Sequence, residues 1–206
     1  FTILSDTLYR DKKLDVVREV VCNAYDAHVM GNCLDVPIEI TLTDTELTIR
    51  DYGPGISDER MHPIYCGYGV TTKVDDASQI GGFGLGCKAP FAYSDHFTVI
   101  SHHGGVRSVY AISRGGVESQ GKPSLRRMVQ APTTETGIIV SIPLKKPLDR
   151  QEFARIINKV VETGGINARL NGTLIQTLDY SETNNLGFWL VRENDHLVAR
   201  TVYVRL

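Results

Sequence analysis

Along residues 11–30, apolar side chains fall at Leu14, Val17, Val20, Val21, Ala24 and Ala27, three or four positions apart. That spacing predicts an amphipathic helix, which Gly31 and Asn32 would stop. Two short alternating runs follow, 38–42 and 47–50, joined by Thr43-Asp44-Thr45 in the pattern of a hairpin. Residues 51–55 form a Gly/Pro-rich loop. Ser57 then reads as the N-cap of a short helix to about residue 65, with Arg60 where a capping box would carry Glu. Residues 66–79 are polar, rich in Gly and Thr and without a period, which predicts a mobile loop. Residues 86–93 read as helical, with Pro90 in the first turn or at a kink. Strands over 96–101 and 106–113 would turn at Gly104-Gly105, with His102-His103 exposed at the turn. Further strands are expected at 125–130 and 138–143. Phe153, Ile156, Ile157, Val160 and Val161 mark an amphipathic helix over 149–163, ended by Gly164-Gly165. The order does not alternate strand and helix throughout, so a doubly wound parallel sheet fits poorly. The expected class is α+β: a two-layer sandwich in which helices cover one face of a mixed, mostly antiparallel sheet.

Composition narrows the function. The 206 residues carry a net charge of −2, which argues against a dedicated nucleic-acid binder, since phosphate neutralisation needs a basic field. No apolar run reaches the roughly 18–20 residues of a membrane span, and the cysteines lead to the expectation of a cytoplasmic protein. Cys22, Cys33, Cys66 and Cys87 have no CxxC spacing and read as reduced thiols. The chain starts at Phe1, which points to a lost tag or upstream segment.

Three polar clusters carry chemistry. Glu19, Asn23 and Asp26 sit at i, i+4 and i+7, one stripe of the first helix lying nearly opposite its apolar face. An amide oxygen on Asn23 suits Mg²⁺, which takes few protein ligands, and Glu19 one turn away suits activation of water. A plain solvated helix face accounts for such a stripe as well. Asp51 enters Gly53-Pro54-Gly55, where a carboxylate accepts from the exocyclic amine of adenine and glycine lets the backbone approach the base; an ordinary turn has the same composition. Gly81, Gly82, Phe83, Gly84, Leu85 and Gly86 precede a helix, where successive N–H groups cradle phosphate. Lys88 either supplements them or is a surface lysine. A P-loop fits poorly, because Gly86 is followed by Cys-Lys-Ala. So does a Rossmann fingerprint, because no βαβ unit surrounds the glycines.

In this order and spacing, the clusters resemble the nucleotide-binding boxes of the GHKL (Bergerat-fold) ATPases, the group containing gyrase B, Hsp90, sensor histidine kinases and MutL. The likeness covers roughly residues 8–145. A closer likeness, carried by the stretches 5–14, 18–28, 71–73 and 88–95, is to the amino-terminal part of phage rIIA-type proteins. The resemblance implies ATP and Mg²⁺ as ligands, Glu19 as general base, Asn23 as magnesium ligand, Asp26 near the base or its water, and Asp51 with Gly55 at adenine. It implies a lid over 66–80 with Thr71, Thr72 and Lys73 near the phosphates, and phosphates held by Gly81 to Gly86. Where the family has Gly-Thr before a strand, this chain has Thr136-Gly137-Ile138. Thr136 or a water is expected to replace the missing hydroxyl, or adenine recognition is weaker.

The implied organisation is an ATP-binding domain over 1–146, a connecting helix over 147–165, and the start of a second β-containing domain over 166–206, cut off before any phosphate-sensing lysine or arginine. The expected activity is slow ATP hydrolysis that drives a lid switch, with a protein partner or a second copy engaged on ATP binding. The alternative is a nucleotide-binding regulatory scaffold without significant turnover. A histidine kinase lacks support, since no phosphoacceptor helix precedes the clusters.

Overall fold

The computed structural model describes residues 11–67, 86–115 and 123–177, together with the backbone of three short strands at 180–183, 188–191 and 202–204. The first helix, α1 (Lys12–Gly31), starts where expected. The Asp11 side chain caps it by accepting from Leu14 N at 3.1 Å. Asn32 in the left-handed region closes it. Val16, Val17, Val20, Val21 and Ala24 are buried along one face. The hairpin of β1 (Ile38–Leu42) and β2 (Glu46–Arg50) follows, then α2 (Asp58–Cys66). Ser57 occupies the N-cap of α2 but makes no side-chain capping bond.

Residues Gly86–Ala92 form a 3-10 helix rather than an α-helix. Pro90 lies inside it and has no N–H to offer an α-helical ladder. Strands β3 (His96–His103), β4 (Val106–Ser113), β5 (Ser124–Pro132) and β6 (Gly137–Pro143) precede α3 (Asp149–Gly164). Gly165, at φ 62°, ends α3 in the left-handed region. Strands β7 (Ala168–Leu170) and β8 (Thr173–Leu174) follow.

The main sheet has eight strands in the order β5-β4-β3-β6-β2-β1-β7-β8. Its ladders are antiparallel except β1 with β7, which pair parallel with Ile40 opposite Leu170. The α+β class expected from the sequence is the class observed. Alternation sets the faces: Ile38, Ile40, Leu47, Ile49, Phe97, Val99, Tyr110, Ile112, Val140 and Ile142 are buried in one core with α1 and with Phe153, Ile156, Ile157 and Val161 of α3. Phe153 meets Tyr93 edge-on at 5.0 Å between ring centroids.

The main sheet continues past the boundary expected at residue 166. Strand β7 pairs with β1, and β8 with β7, so residues 168–174 are strands of the main sheet. Strands β9 (Tyr180–Thr183), β10 (Phe188–Val191) and β11 (Val202–Val204) form a separate three-stranded sheet. Strand β3 also runs two residues beyond expectation, to the exposed His103. His102 is buried (3% exposed) rather than exposed at the turn, although it lies on the sheet face opposite Phe97, Val99 and Ser101; its Nδ1 is 3.1 Å from Thr133 Oγ1. Among the described residues, no helix is long and apolar enough to cross a membrane.

Candidate functional site

The helical stripe does not face open solvent. Helix α1 packs against the 3-10 helix, which itself rests on the sheet through Phe91 and Phe97. Asp26 is only 2% exposed, and Glu19 and Asn23 are partly buried. A Cβ added to Gly86 would lie 2.8 Å from Glu19 Oε2 and 3.7 Å from Asn23 Oδ1. The last glycine of the Gly-rich run therefore abuts the first two members of the stripe.

A cavity of about 260 Å³ opens between α1, the loop after β2, α2 and β6. Asn23, Asp26, Asp51 and Gly55 line it, and Val20, Ile49, Ile64, Tyr65, Ile138 and Val140 supply apolar walls. This is the usual make-up of a small-molecule site, an apolar slot with a few polar groups that fix orientation. Arg60 and Met30 stand on the same wall surface; no sequence signal marked either one. The walls rest on an aromatic group in which Phe97 contacts both Tyr65 (6.1 Å) and Phe91 (5.0 Å).

Asp51 is the best-defined polar group. It is 5% exposed, and its Oδ1 accepts from Gly53 N at 3.0 Å and Ile138 N at 3.1 Å. Oδ2 takes neither of these donors. Burial pushes the carboxyl up to about 7, against the pull of the two backbone donors and of Arg50. Two glycines make this arrangement possible. Gly53 sits where a Cβ would be 2.5 Å from Ala27 O, so only glycine lets the loop lie on α1. Gly137, at φ 104°, would place a Cβ 2.0 Å from Asp51 O.

The missing threonine hydroxyl has no counterpart at Thr136, which is exposed and donates through Oγ1 to Tyr52 O at 3.3 Å. The Ile138 N–H itself bonds Asp51, while the side chain joins the apolar wall. Thr136 therefore braces the loop from outside the cavity.

Lys88 is not a surface lysine: it is 1% exposed, and its ammonium donates to Gly67 O at the end of α2. Glu19 Oε1 accepts from Arg18 Nη2 at 3.2 Å, and Arg18 also pairs with Asp15. Thr71, Thr72, Lys73, Gly81, Gly82, Phe83, Gly84 and Leu85, and most of the expected lid, lie outside the described residues. Among the described residues, no group of three or more His, Cys, Asp or Glu is arranged to hold a metal. Mg²⁺ takes few protein ligands and fills its shell with water and phosphate oxygens. Asn23 suits that demand, since its amide lines the cavity beside Gly86.

Compared with known proteins, residues 13–140 match the family model described as histidine kinase-, DNA gyrase B-, and HSP90-like ATPase. No curated protein matches the chain.

Proposed function

The chain belongs to the histidine kinase-, DNA gyrase B- and HSP90-like ATPase family, and we propose that it binds Mg–ATP between α1 and the Asp51 loop and hydrolyses it slowly. The observation that carries this reading is convergence: Asn23 and Asp26 from α1, and Asp51 and Gly55 from the loop after β2, line one apolar-walled cavity. Adenine enters with its exocyclic amine toward Asp51 Oδ2 and its faces against Ile49, Ile138 and the other apolar walls. The phosphates then extend toward Gly86, where Glu19 and Asn23 meet the start of the 3-10 helix.

Asn23 would hold Mg²⁺, which when bound neutralises phosphate charge. Glu19 orients the attacking water and accepts its proton. Asp26, buried beside the base, holds the sugar-side water structure or the base itself. ATP binding changes the surface offered to a protein partner or a second copy. The stretches 5–14, 18–28, 71–73 and 88–95 support placing the chain with the phage rIIA-type proteins. On this reading the ATP-binding unit closes with β8, and the strands from residue 180 onward begin a second one.

A second reading, a nucleotide-binding regulatory scaffold with little turnover, has its own observation. Glu19 does not line the cavity, and one of its oxygens is held by Arg18. Steady-state phosphate release separates the two. In Glu19→Ala, release from Mg–ATP should fall about 10²-fold or more while nucleotide affinity holds, the loss expected on removing a general base. Equal rates in wild type and variant would leave only the scaffold.

A further inference from the structure

His28 closes the last turn of α1, is 2% exposed and does not line the cavity. Its Nε2 accepts from Tyr52 N at 2.9 Å. A main-chain N–H can only donate, so Nε2 carries no proton and the ring is neutral, with its hydrogen on Nδ1. The Val36 main chain, in the segment leading into β1, pulls the ring's pKa up, but burial outweighs it and lowers the imidazole's basicity, which keeps the ring neutral.

The Tyr52 N–H belongs to the peptide plane that leaves Asp51. Holding it fixes the backbone torsion that aims the Asp51 carboxylate. The neighbouring groups are held as well: Asp51 N donates to Ile138 O at 2.9 Å, and Tyr52 O accepts from Thr136 Oγ1 at 3.3 Å and Cys33 Sγ at 3.5 Å. Of these ties, the His28 bond is the one that joins the helix carrying Glu19 and Asn23 to the loop carrying Asp51. A ring on the helix thus sets the distance between the polyphosphate end of the site and its base-reading end.

We propose that His28 is the positioning residue for base recognition: as a neutral Nδ1–H imidazole it anchors the Asp51–Tyr52 peptide and so makes the site selective for adenine. This rests on the adenine-nucleotide reading above and adds to it a residue that touches no ligand.

The test compares ATP and GTP binding by calorimetry in the whole chain carrying His28→Phe or His28→Gln. Phenylalanine keeps a ring but accepts nothing; glutamine places an acceptor near Nε2. In His28→Phe the ATP affinity should weaken about tenfold, the worth of one hydrogen bond, and the preference for ATP over GTP should shrink by a similar factor. His28→Gln should restore both to within about twofold of wild type, since it returns the acceptor. A merely structural role would lower the melting temperature and leave the ATP/GTP ratio alone, which would overturn the proposal. So would wild-type affinity and ratio in His28→Phe. Nitrogen-15 spectra of the wild-type imidazole give a check that needs no variant to fold: Nε2 should be unprotonated, and an Nε2–H tautomer would overturn the inference. If the wild type bound no nucleotide, the functional reading would fail and take this inference with it, whereas binding that is indifferent to His28 would sink this inference alone.

Discussion

At the scale of single residues, Asp51 has the most to reveal. Its carboxyl is pushed to about 7 by burial, from an ordinary 3.8. A raised folded-state value means that the nucleotide-free native state holds its proton longer than the unfolded chain does. The stabilisation is fully present below pH about 4 and is lost as pH rises through about 7. Asn at this position keeps the size and the acceptor for Gly53 and Ile138, and it does not titrate. The melting temperature of the nucleotide-free wild type should therefore fall relative to Asp51→Asn between pH 5 and pH 8; a gap that stays constant would contradict the assignment. At pH 8 the same variant should bind ATP at least about tenfold more weakly, because the amide presents an N–H where the carboxylate accepts. Asp51 was legible in the sequence because a carboxylate before Gly-x-Gly is a compact local signal. His28 was not: its partner lies on another element, and nothing nearby marks a histidine as an acceptor for Tyr52. Nor was the brace at Thr136, since only the fold shows that the Ile138 main chain already satisfies Asp51.

At the scale of elements, the site depends on how closely α1 approaches its neighbours, and two glycines separate fold from chemistry. An alanine Cβ at Gly53 would meet Ala27 O at 2.5 Å and Ala27 Cβ at 2.7 Å. Backbone cannot yield as a side chain can, so Gly53→Ala should cost about 1–3 kcal/mol in denaturant unfolding. At Gly86 the obstacle is Glu19 Oε2, the free end of a flexible side chain, at 2.8 Å. Gly86→Ala should hold stability within about 0.5 kcal/mol and slow phosphate release about tenfold or more through a displaced base. Matching losses of stability in the two variants would refute this division. The α1 stripe was readable because i, i+4 and i+7 share a helix face by geometry alone. Its burial was not readable, because a 3-10 helix seven residues long with Pro90 inside it carries no periodic signal that it will pack there. The helices and the long hairpins followed from their repeats. Strand β7, at three residues, is too short to show one, and so its parallel pairing with β1 came only with the structure.

At the scale of the whole molecule, one sheet and one helical layer bring residues 19, 23, 26, 51 and 55 together from segments that are distant along the chain. Helix α3 secures the layer: Lys13, near the start of α1, pairs with Asp149 at 2.6 Å and also with Glu152, while Tyr93 donates to Asp149 at 2.8 Å. Any motion of α3 would therefore be felt at the helix that carries Glu19. On the proposed function, the α1–Asp51 cavity is an adenine-nucleotide site. A ligand confined to the native state raises its stability by mass action, about 2.7 kcal/mol at a hundredfold excess over Kd. The most direct measurement is a thermal melt of the wild type and of Asp51→Asn with ATP, ADP or GTP plus magnesium. ATP and ADP should raise the wild-type melting temperature by several degrees, GTP should raise it little, and the variant should respond to none of the three. An equal shift by GTP, or an undiminished ATP shift in Asp51→Asn, would contradict the account.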